Sequence, residues 1–277
     1  MRKKEFTQEQ LDDIIDLYVN QHISLTSIGK RYNVSRTVIT RVVKENNIEI
    51  RKDNHTYYAD YNKFERIDSA EKAYWLGFLA ADGCVYVRED LSNATVLINI
   101  HQKDRELLEK FNSFMKSNNP IKNIIQNEGY SNNTPMCRLA FNSKKMAFDL
   151  IDKGVVQRKS LILEPPKINE QYELPFILGY FDGDGSIYKT KQNEWGISIE
   201  GTKEILEWIN KILKISDVLS KRYDDDKNNY YIRCGGTNKP YQIMKKLYDS
   251  VDVHLERKYN IYNELETVVL SRNIKNY

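Results

Sequence analysis

The 277-residue chain has little of what marks several common protein classes. Its cysteines are Cys84, Cys137 and Cys234, and the absence of a C-x-x-C pair argues against a structural zinc site and a disulfide framework. It has no apolar run of about 18 residues, so we expect no membrane-spanning helix. The amino-terminal stretch is amphipathic and lacks the apolar centre of a signal peptide. These absences predict a cytoplasmic protein without a membrane partner.

The chain also lacks a strong excess of charge of either sign. It has 42 Lys and Arg residues against 39 Asp and Glu residues, a formal net charge of +3. A polybasic tail is therefore excluded, and a surface for nucleic acid requires local segregation of basic residues rather than an excess of them. The length allows two or three domains with cores of their own.

What the sequence does contain is one short stretch that occurs twice. The segment WLGFLAADG at 75–83 is matched by ILGYFDGDG at 177–185, with Leu, Gly, Asp and Gly identical at the same offsets. A single Asp-Gly pair is a common turn. Two matching copies about a hundred residues apart indicate a duplicated domain, because solenoid repeats are only about 20 to 50 residues long.

Each copy is typical of a short apolar helix that carries two small residues at four-residue spacing. The pairs are Gly77 with Ala81 and Gly179 with Gly183. This spacing places the small residues on one helix face, where the lack of bulk lets two helices pack backbone to backbone. We therefore predict that the two helices pair. Gly83 and Gly185 are expected to adopt the left-handed conformation that ends many helices.

Parallel pairing of these helices about a pseudo-twofold axis would bring Asp82 and Asp184 side by side at the helix ends. Two carboxylates so close raise each other's pKa unless a cation lies between them. The pair therefore predicts a hard divalent metal with oxygen ligands. Backbone carbonyls of Ala81 and Gly183 are the further ligands that we predict.

With these two motifs the chain resembles a single-chain LAGLIDADG homing endonuclease over roughly residues 66–277. The resemblance implies an α+β fold, a pseudo-symmetric duplicated αββαββα repeat whose two sheets form a saddle over duplex DNA. It implies hydrolysis of one phosphodiester on each strand across the minor groove with Mg²⁺, for which Mn²⁺ can substitute, leaving short 3′ overhangs. Ala80 is a departure, because the pattern often has an acid there.

Strand-like segments follow each motif, and their period-two alternation gives each half one face for DNA. The residues predicted to contact DNA on these strands are Tyr86, Arg88, Arg138, Tyr188, Thr190 and Arg233. We expect Arg138 and Arg233 at equivalent places in the two halves. Basic side chains repeated in this way are what a DNA-binding saddle requires, although each one by itself has the alternative of being an ordinary surface charge.

An Arg-Lys pair recurs near the end of each half, as Arg158-Lys159 and as Arg257-Lys258. The resemblance implies that Lys159 and Lys258 reach the edge of the active site, one from each half, and are catalytic together with Asp82 and Asp184. There each lysine would hold the solvent around the attacking water or stabilise charge on the pentavalent phosphate. An ordinary surface position is the alternative for both.

The amino-terminal segment is typical of three short helices. Thr7 and Gln10 form a capping-box pattern, and a second helix should begin near Ser24. A tight turn is expected at Tyr32 to Val34. Ser35 should then cap the third helix.

The string SLTSIGKRYNVSRTVITRVVKENN at 24–47 resembles the helix-turn-helix of resolvases and transposases, which implies a third helix in the major groove. The residues that we predict to contact bases are Ser35, Arg36, Thr37 and Thr40. Arg41 and Lys44 are predicted to contact phosphates. A protein-docking module of three helices is the alternative.

The predicted organisation is a helix-turn-helix domain at 1–50, a linker at 51–65, a first LAGLIDADG half at 66–164, a connector at 165–175 and a second half at 176–277. We predict a monomeric endonuclease without an obligate protein partner, which breaks double-stranded DNA at a long site and associates with the nucleoid when bound. A non-cleaving DNA-binding regulator and an RNA maturase on the same scaffold are the alternatives. Both acids are present, which favours the nuclease. An intein is disfavoured, because no flanking splicing blocks are present.

Overall fold

The structure is a computed structural model that describes residues 6–21, 23–50, 57–127, 133–222 and 227–274. The chain divides into two compact units. The first comprises Met1–Asp60 with Lys116–Asn119, and the second comprises Tyr61–Met115 with Pro120–Tyr277. Within the described ranges, no helix combines the length and the apolar character needed to cross a membrane.

The first unit is built on the helices α1 (Gln8–Val19), α2 (Leu25–Arg31) and α3 (Arg36–Glu45). The capping box at the start of α1 is confirmed, because Thr7 Oγ1 accepts from Gln10 N at 3.3 Å and Gln10 Oε1 accepts from Thr7 N at 3.1 Å. Ser24 Oγ caps α2 by accepting from Ser27 N at 3.1 Å. The buried core of the unit consists of Ile14, Leu17, Tyr18, Leu25, Ile28, Ile39, Val42 and Val43.

The turn between α2 and α3 is as tight as the sequence predicted. Asn33 takes the left-handed conformation with φ of 51°, and Val34 N donates to Gly29 O at 2.8 Å. A Cβ on Gly29 would lie 2.7 Å from Val34 O, so glycine is required for this close approach. Ser35 stands at the start of α3 as predicted, but its side chain makes no capping hydrogen bond.

The second unit repeats one order of elements twice, which confirms the duplicated αββαββα fold. The first copy comprises α4 (Ala70–Ala81), β1 (Gly83–Val87), β2 (Ala94–His101), α5 (Arg105–Phe114), β3 (Lys122–Gln126), β4 (Thr134–Asn142) and α6 (Lys144–Asp152). The second comprises α7 (Glu173–Asp184), β5 (Gly185–Lys189), β6 (Trp195–Gly201), α8 (Lys203–Leu213), β7 (Ser220–Lys221), β8 (Tyr230–Gly235) and α9 (Asn238–Tyr248). Helix α10 (Glu256–Ile274) follows.

Each copy forms a four-stranded antiparallel sheet, in the orders β1-β2-β4-β3 and β5-β6-β8-β7. Helix α6 packs on β1 and β2, and helices α8 and α9 pack on β6 and β8. Strand β2 alternates buried and half-buried residues along its length. One face of each sheet therefore belongs to the core, and the opposite face carries the more accessible side chains.

The strand register corrects the predicted equivalence of Arg138 and Arg233. In the first sheet Ile98 pairs with Leu139, and its counterpart Ile199 pairs with Ile232 in the second sheet. Arg138 is therefore equivalent to Tyr231, and Arg233 lies two residues further along the same strand. Both arginines stay on the exposed face, because a shift of two residues preserves the side of the sheet.

Candidate active site at the ends of the paired motif helices

Helices α4 and α7 pack backbone to backbone through the small residues of the two motifs, as predicted. A Cβ on Gly77 would lie 1.9 Å from Phe176 O, and a Cβ on Gly179 would lie 1.9 Å from Tyr74 O. These distances are far below any real contact, so only glycine permits the approach. Most of the flanking residues of both helices are fully buried, which fixes the helix pair in the centre of the second unit.

The contact continues to the helix ends and brings the two motif aspartates together. A Cβ on Gly183 would lie 2.3 Å from Ala81 Cβ and 3.4 Å from Asp82 Cγ. Asp82 closes α4, and Asp184 is the last residue of α7. The two carboxylates therefore share one site where both halves of the second unit meet.

The residues after the aspartates differ from the prediction. Gly185 is extended, with φ of −98° and ψ of 168°, and Gly83 does not have a positive φ either. Both glycines begin strands instead of ending helices in the left-handed conformation. Glycine is needed at both positions because the backbone packs closely there. A Cβ on Gly83 would lie 2.5 Å from Leu79 O, and a Cβ on Gly185 would lie 2.6 Å from Phe181 O.

The site disfavours two negative charges in the absence of a cation. Burial, followed by the neighbouring Asp184 carboxylate, raises the pKa of Asp82 to about 7. Burial likewise raises the pKa of Asp184, while Lys159 and Lys258 act against the rise. The surrounding protein desolvates both carboxyl groups, but by surface area Asp82 is only half-buried and Asp184 is exposed, so solvent or a ligand reaches the pair. Two such carboxylates fit a hard divalent cation, which would restore their charged form.

The other predicted metal ligands are the carbonyls of Ala81 and Gly183. Ala81 O accepts a hydrogen bond from Lys159 Nζ at 2.7 Å, which leaves this oxygen one lone pair for a further partner. Within the described residues, no cluster of three or more His, Cys, Asp or Glu side chains suits a metal. Metal binding would therefore depend on the two carboxylates and on backbone oxygens.

Lys159 lies beside the carboxylates, as predicted, and only 8% of it is exposed. The preceding Arg158 has φ of 56°, in the left-handed region, and this backbone kink begins the single 3-10 turn that carries the lysine. Burial lowers the pKa of Lys159, whereas Asp184 and then Asp82 raise it. The Lys159 ammonium is thus close to both acids.

Lys258 is placed differently from its counterpart. It is 3% exposed, and its ammonium donates to Phe181 O at 2.6 Å, to Asp182 O at 2.8 Å and to Gly185 O at 2.6 Å. Burial lowers its pKa to about 8. Because an ammonium has three N–H donors, these carbonyls at the end of α7 occupy all of them.

Sequence reasoning missed Asp182, which is buried with 3% exposure. Its Oδ2 accepts from Tyr74 Oη at 2.7 Å and from Leu255 N at 2.8 Å. The signal in the sequence was the acid in the second motif at the place where the first motif has Ala80. An acid inside an apolar helix needs partners, and these partners come from α4 and from the segment that precedes α10.

Two cavities open onto the site, one on each side of the helix pair. The first has a volume of about 170 Å³ and is lined by Lys159, Asp184 and Tyr180 among others. The second has a volume of about 160 Å³ and is lined by Asp82 and Arg257 among others. The first cavity thus places Lys159 near Asp184, and the second places Arg257 near Asp82.

The residues predicted to contact DNA from the first unit lie on α3. Ser35, Arg36, Thr37 and Lys44 are exposed. Thr40 is partly buried, and its Oγ1 donates to Arg36 O at 2.9 Å. Arg41 forms an ion pair with Glu45 at 3.7 Å. The accessible part of the predicted surface is therefore the amino-terminal turn of α3 together with Lys44 near the other end of the helix.

Of the six residues predicted on the sheets of the second unit, four lie on strands with exposed side chains: Tyr86, Arg138, Tyr188 and Arg233. Arg88 and Thr190 follow the ends of β1 and β5, so their predicted strand positions were wrong. Each lies in the turn to the next strand, where Arg88 N donates to Asn93 O at 3.1 Å and Thr190 N donates to Glu194 O at 2.7 Å.

Comparison with known proteins relates the second unit to one family. Residues 69–148 and 171–273 match the LAGLIDADG-like domain. The chain is 26% identical over 226 residues to the uncharacterized protein MJ0398 of Methanocaldococcus jannaschii, which covers 78% of this chain and 75% of that protein.

Solved structures give similar matches. The meganuclease I-SmaMI bound to uncleaveable DNA with a TTGT central four has a TM-score of 0.49 and 16% identity, covering 74% of this chain and 92% of that one. The LAGLIDADG homing endonuclease I-GzeII in complex with its DNA target has a TM-score of 0.47 and 10% identity, covering 73% and 91%. The two family segments include both motif helices.

Proposed function

The chain belongs to the LAGLIDADG-like domain family, and on this premise we propose that it is a site-specific endonuclease that hydrolyses both strands of a DNA duplex. The observation that carries the proposal is the shared site of Asp82 and Asp184. The contact of α4 with α7 forces the two carboxylates together although burial raises the pKa of both, and the Asp184 charge raises that of Asp82 further. Such an arrangement costs stability, and a bound cation would offset that cost.

A divalent cation, Mg²⁺ or Mn²⁺, held by Asp82 and Asp184 would supply neutralisation of phosphate charge and a water of lowered pKa. The residues themselves fix where this happens, because the carboxylates lie at the ends of two helices whose backbones are in direct contact through Gly77 and Gly179. Ala81 O and the carbonyl of Gly183 are the further oxygen ligands that we propose. Lys159, whose ammonium lies close to both acids, would orient solvent and stabilise the extra negative charge on the phosphate.

The chemical step is hydrolysis of one phosphodiester on each strand. The water oxygen forms a bond to phosphorus while the bond from phosphorus to O3′ breaks. The water loses a proton to solvent, and O3′ takes up a proton as it leaves. The products on each strand are a 5′-phosphate and a 3′-hydroxyl, and cuts across the minor groove would leave short 3′ overhangs.

The exposed faces of the two sheets would bind the duplex. Tyr86 and Tyr188 occupy equivalent positions on these faces, and the neighbouring arginines provide positive charge for phosphates. Helix α3 of the first unit would add a major-groove contact through the exposed Arg36 and Thr37 at its amino-terminal end. Because one chain contains both halves, we propose that the endonuclease acts as a monomer.

The test is a cleavage selection on a randomised or genomic duplex library with Mg²⁺, using the native chain, Asp82→Asn and Asp184→Asn. We expect double-strand cuts with short 3′ overhangs from the native chain and none from either variant, while both variants retain binding of the recovered site. Asp217→Asn is the matched control, because Asp217 is an exposed acid outside the site. It should cut like the native chain.

Three outcomes would contradict the proposal. Cleavage by Asp82→Asn or Asp184→Asn at the native rate would remove the carboxylate pair from the mechanism. Enrichment of bound sites that the native chain never cuts, in either Mg²⁺ or Mn²⁺, would favour a DNA-binding regulator on the same scaffold. Preferential binding of a structured RNA would favour a maturase.

A further inference from the structure

The two lysines that repeat in sequence are not equivalent in the structure. Lys258 uses all three N–H donors on carbonyls at the end of α7. Within the described part of the chain, Lys159 makes one hydrogen bond, to Ala81 O. Two N–H donors of Lys159 therefore stay available for a ligand in the cavity that Lys159 and Asp184 line. The repeat in the sequence gave no sign of this difference.

A polar network in the second half has no counterpart in the first. Asp182 accepts from Tyr74 Oη and from Leu255 N, and its backbone oxygen accepts from Lys258. At the corresponding positions of the other half, Ala80 stands for Asp182 and Phe176 for Tyr74, and both are apolar and buried. The end of α7, and with it Asp184, is therefore tied down by Lys258 and Asp182 together.

The cavities show the same asymmetry. The cavity that contains Asp184 is lined by Lys159, whereas the cavity that contains Asp82 is lined by Arg257 and not by Lys258. Arg257 forms a two-point ion pair with Asp104, with Nε and Nη2 each 3.1 Å from a carboxylate oxygen. This pairing directs the guanidinium to a protein acid, so its charge is already neutralised.

We propose that Lys159 is the catalytic lysine of the Asp184 half-site and that Lys258 is a positioning residue that holds the end of α7. The proposal rests on the proposed endonuclease function, and it implies that the two strands are cut by chemically different half-sites. The strand at Asp184 has a lysine with available donors, so it is cut first. The strand at Asp82 is cut more slowly.

The first experiment needs neither DNA nor cleavage. Tb³⁺ binding to the metal-free protein is followed by its luminescence, which neighbouring aromatic residues such as Tyr180 sensitise. Electrostatics alone predicts that Lys159→Met and Lys258→Met both strengthen Tb³⁺ binding, because each removes a positive charge near the carboxylates. A positioning role for Lys258 predicts the opposite sign for Lys258→Met, a loss of roughly tenfold in affinity. Lys159→Met should bind Tb³⁺ more tightly than the native chain.

Thermal unfolding of the same metal-free samples shows whether the variants are folded. Lys258→Met leaves three carbonyls without their donor, so we expect its unfolding midpoint to fall by roughly 5 °C or more. Tb³⁺ is titrated at a temperature well below that midpoint. The unfolding midpoint of Lys159→Met should fall less. Lys246→Met replaces an exposed lysine and should have the same midpoint as the native chain. Tighter Tb³⁺ binding by folded Lys258→Met, or an unchanged midpoint, would overturn the positioning role.

The second experiment measures each strand separately on a duplex that carries the recovered site, with different labels on the two 5′ ends, at single turnover in Mg²⁺. The native chain should nick one strand faster than the other. Lys159→Met should reduce the nicking rate of that faster strand by a factor roughly tenfold or more larger than the reduction on the other strand. Equal slowing of both strands would overturn the assignment of Lys159 to one half-site. If the native chain cuts no duplex, the endonuclease function fails, whereas the Tb³⁺ and unfolding data still decide the role of Lys258.

Discussion

Replacing Asp82 by Asn should stabilise the metal-free protein above neutral pH while it abolishes the response to Mg²⁺. Asp82 has a pKa of about 7 in the folded protein against 3.8 for an unperturbed side chain. A folded-state pKa that is raised disfavours the charged form, so the native chain loses stability as pH rises from about 4 to about 7. The loss is complete above pH 7, and the asparagine variant avoids it.

The gain in the free energy of unfolding of Asp82→Asn follows from the shift in the pKa of Asp82. One pKa unit corresponds to about 1.4 kcal/mol, so the rise of roughly three units sets an upper bound of about 4 kcal/mol at pH 8. Solvent reaches this half-buried side chain, and we therefore expect a gain of about 2 kcal/mol. At pH 5 the gain should be less than half as large, because most of the titration lies above that pH.

The assay is urea unfolding of the native chain, Asp82→Asn and Asp217→Asn at pH 5 and pH 8 in EDTA, followed by tryptophan fluorescence. Trp75 is fully buried on α4, the helix that Asp82 closes, and reports on the second unit. Adding Mg²⁺ at pH 8 should stabilise the native chain and leave Asp82→Asn nearly unchanged. An equal gain at both pH values, or no gain at pH 8, would refute the raised pKa of Asp82, caused by burial and then by the Asp184 charge, as the source of the effect.

Three further predictions concern packing, the buried acid and DNA binding. Gly179→Ala should lower the free energy of unfolding by more than about 3 kcal/mol or fail to fold, because its Cβ would overlap Tyr74 O. The control is Gly235→Ala, where the atom nearest to the new Cβ would be 3.6 Å away, and this variant should unfold at nearly the same temperature as the native chain. Tyr74→Phe should cost about 1 to 3 kcal/mol in urea unfolding, because it removes a donor from buried Asp182, and an unchanged midpoint would contradict that reasoning. Lys44→Ala should weaken binding of the recovered duplex and reduce the slope of log affinity against log salt by about 1; an unchanged slope would exclude a phosphate contact.

The repeated motif was sufficient to predict how the helices pair. Gly77 and Gly179 stand at matching offsets, and glycine on one helix face has few uses other than close approach. The structure confirms that contact in both directions, since each glycine faces a carbonyl of the other helix. The same argument brought Asp82 and Asp184 together, because helices that pair in parallel through matching residues end side by side.

The wrong predictions share a cause in contacts between distant parts of the chain. The conformations of Gly83 and Gly185 depend on strands that leave the helices directly. The register of Arg233 depends on hydrogen bonds between β6 and β8. Aligning two short strand sequences from the two halves does not reveal these hydrogen bonds. These features follow from pairing, and local composition carries little information about pairing.

The sequence by itself determined the duplication, the helix pair and the two acids, because these depend on identical residues at identical spacing. Only the tertiary structure decided that the two halves differ at their lysines. The Arg-Lys repeat is the same in both halves, but the donors of Lys258 are directed by three carbonyls at the end of α7, beside the buried Asp182. Hydrogen-bond partners more than seventy positions away in the chain set that arrangement, so symmetry in the sequence does not extend to the chemistry of the two half-sites.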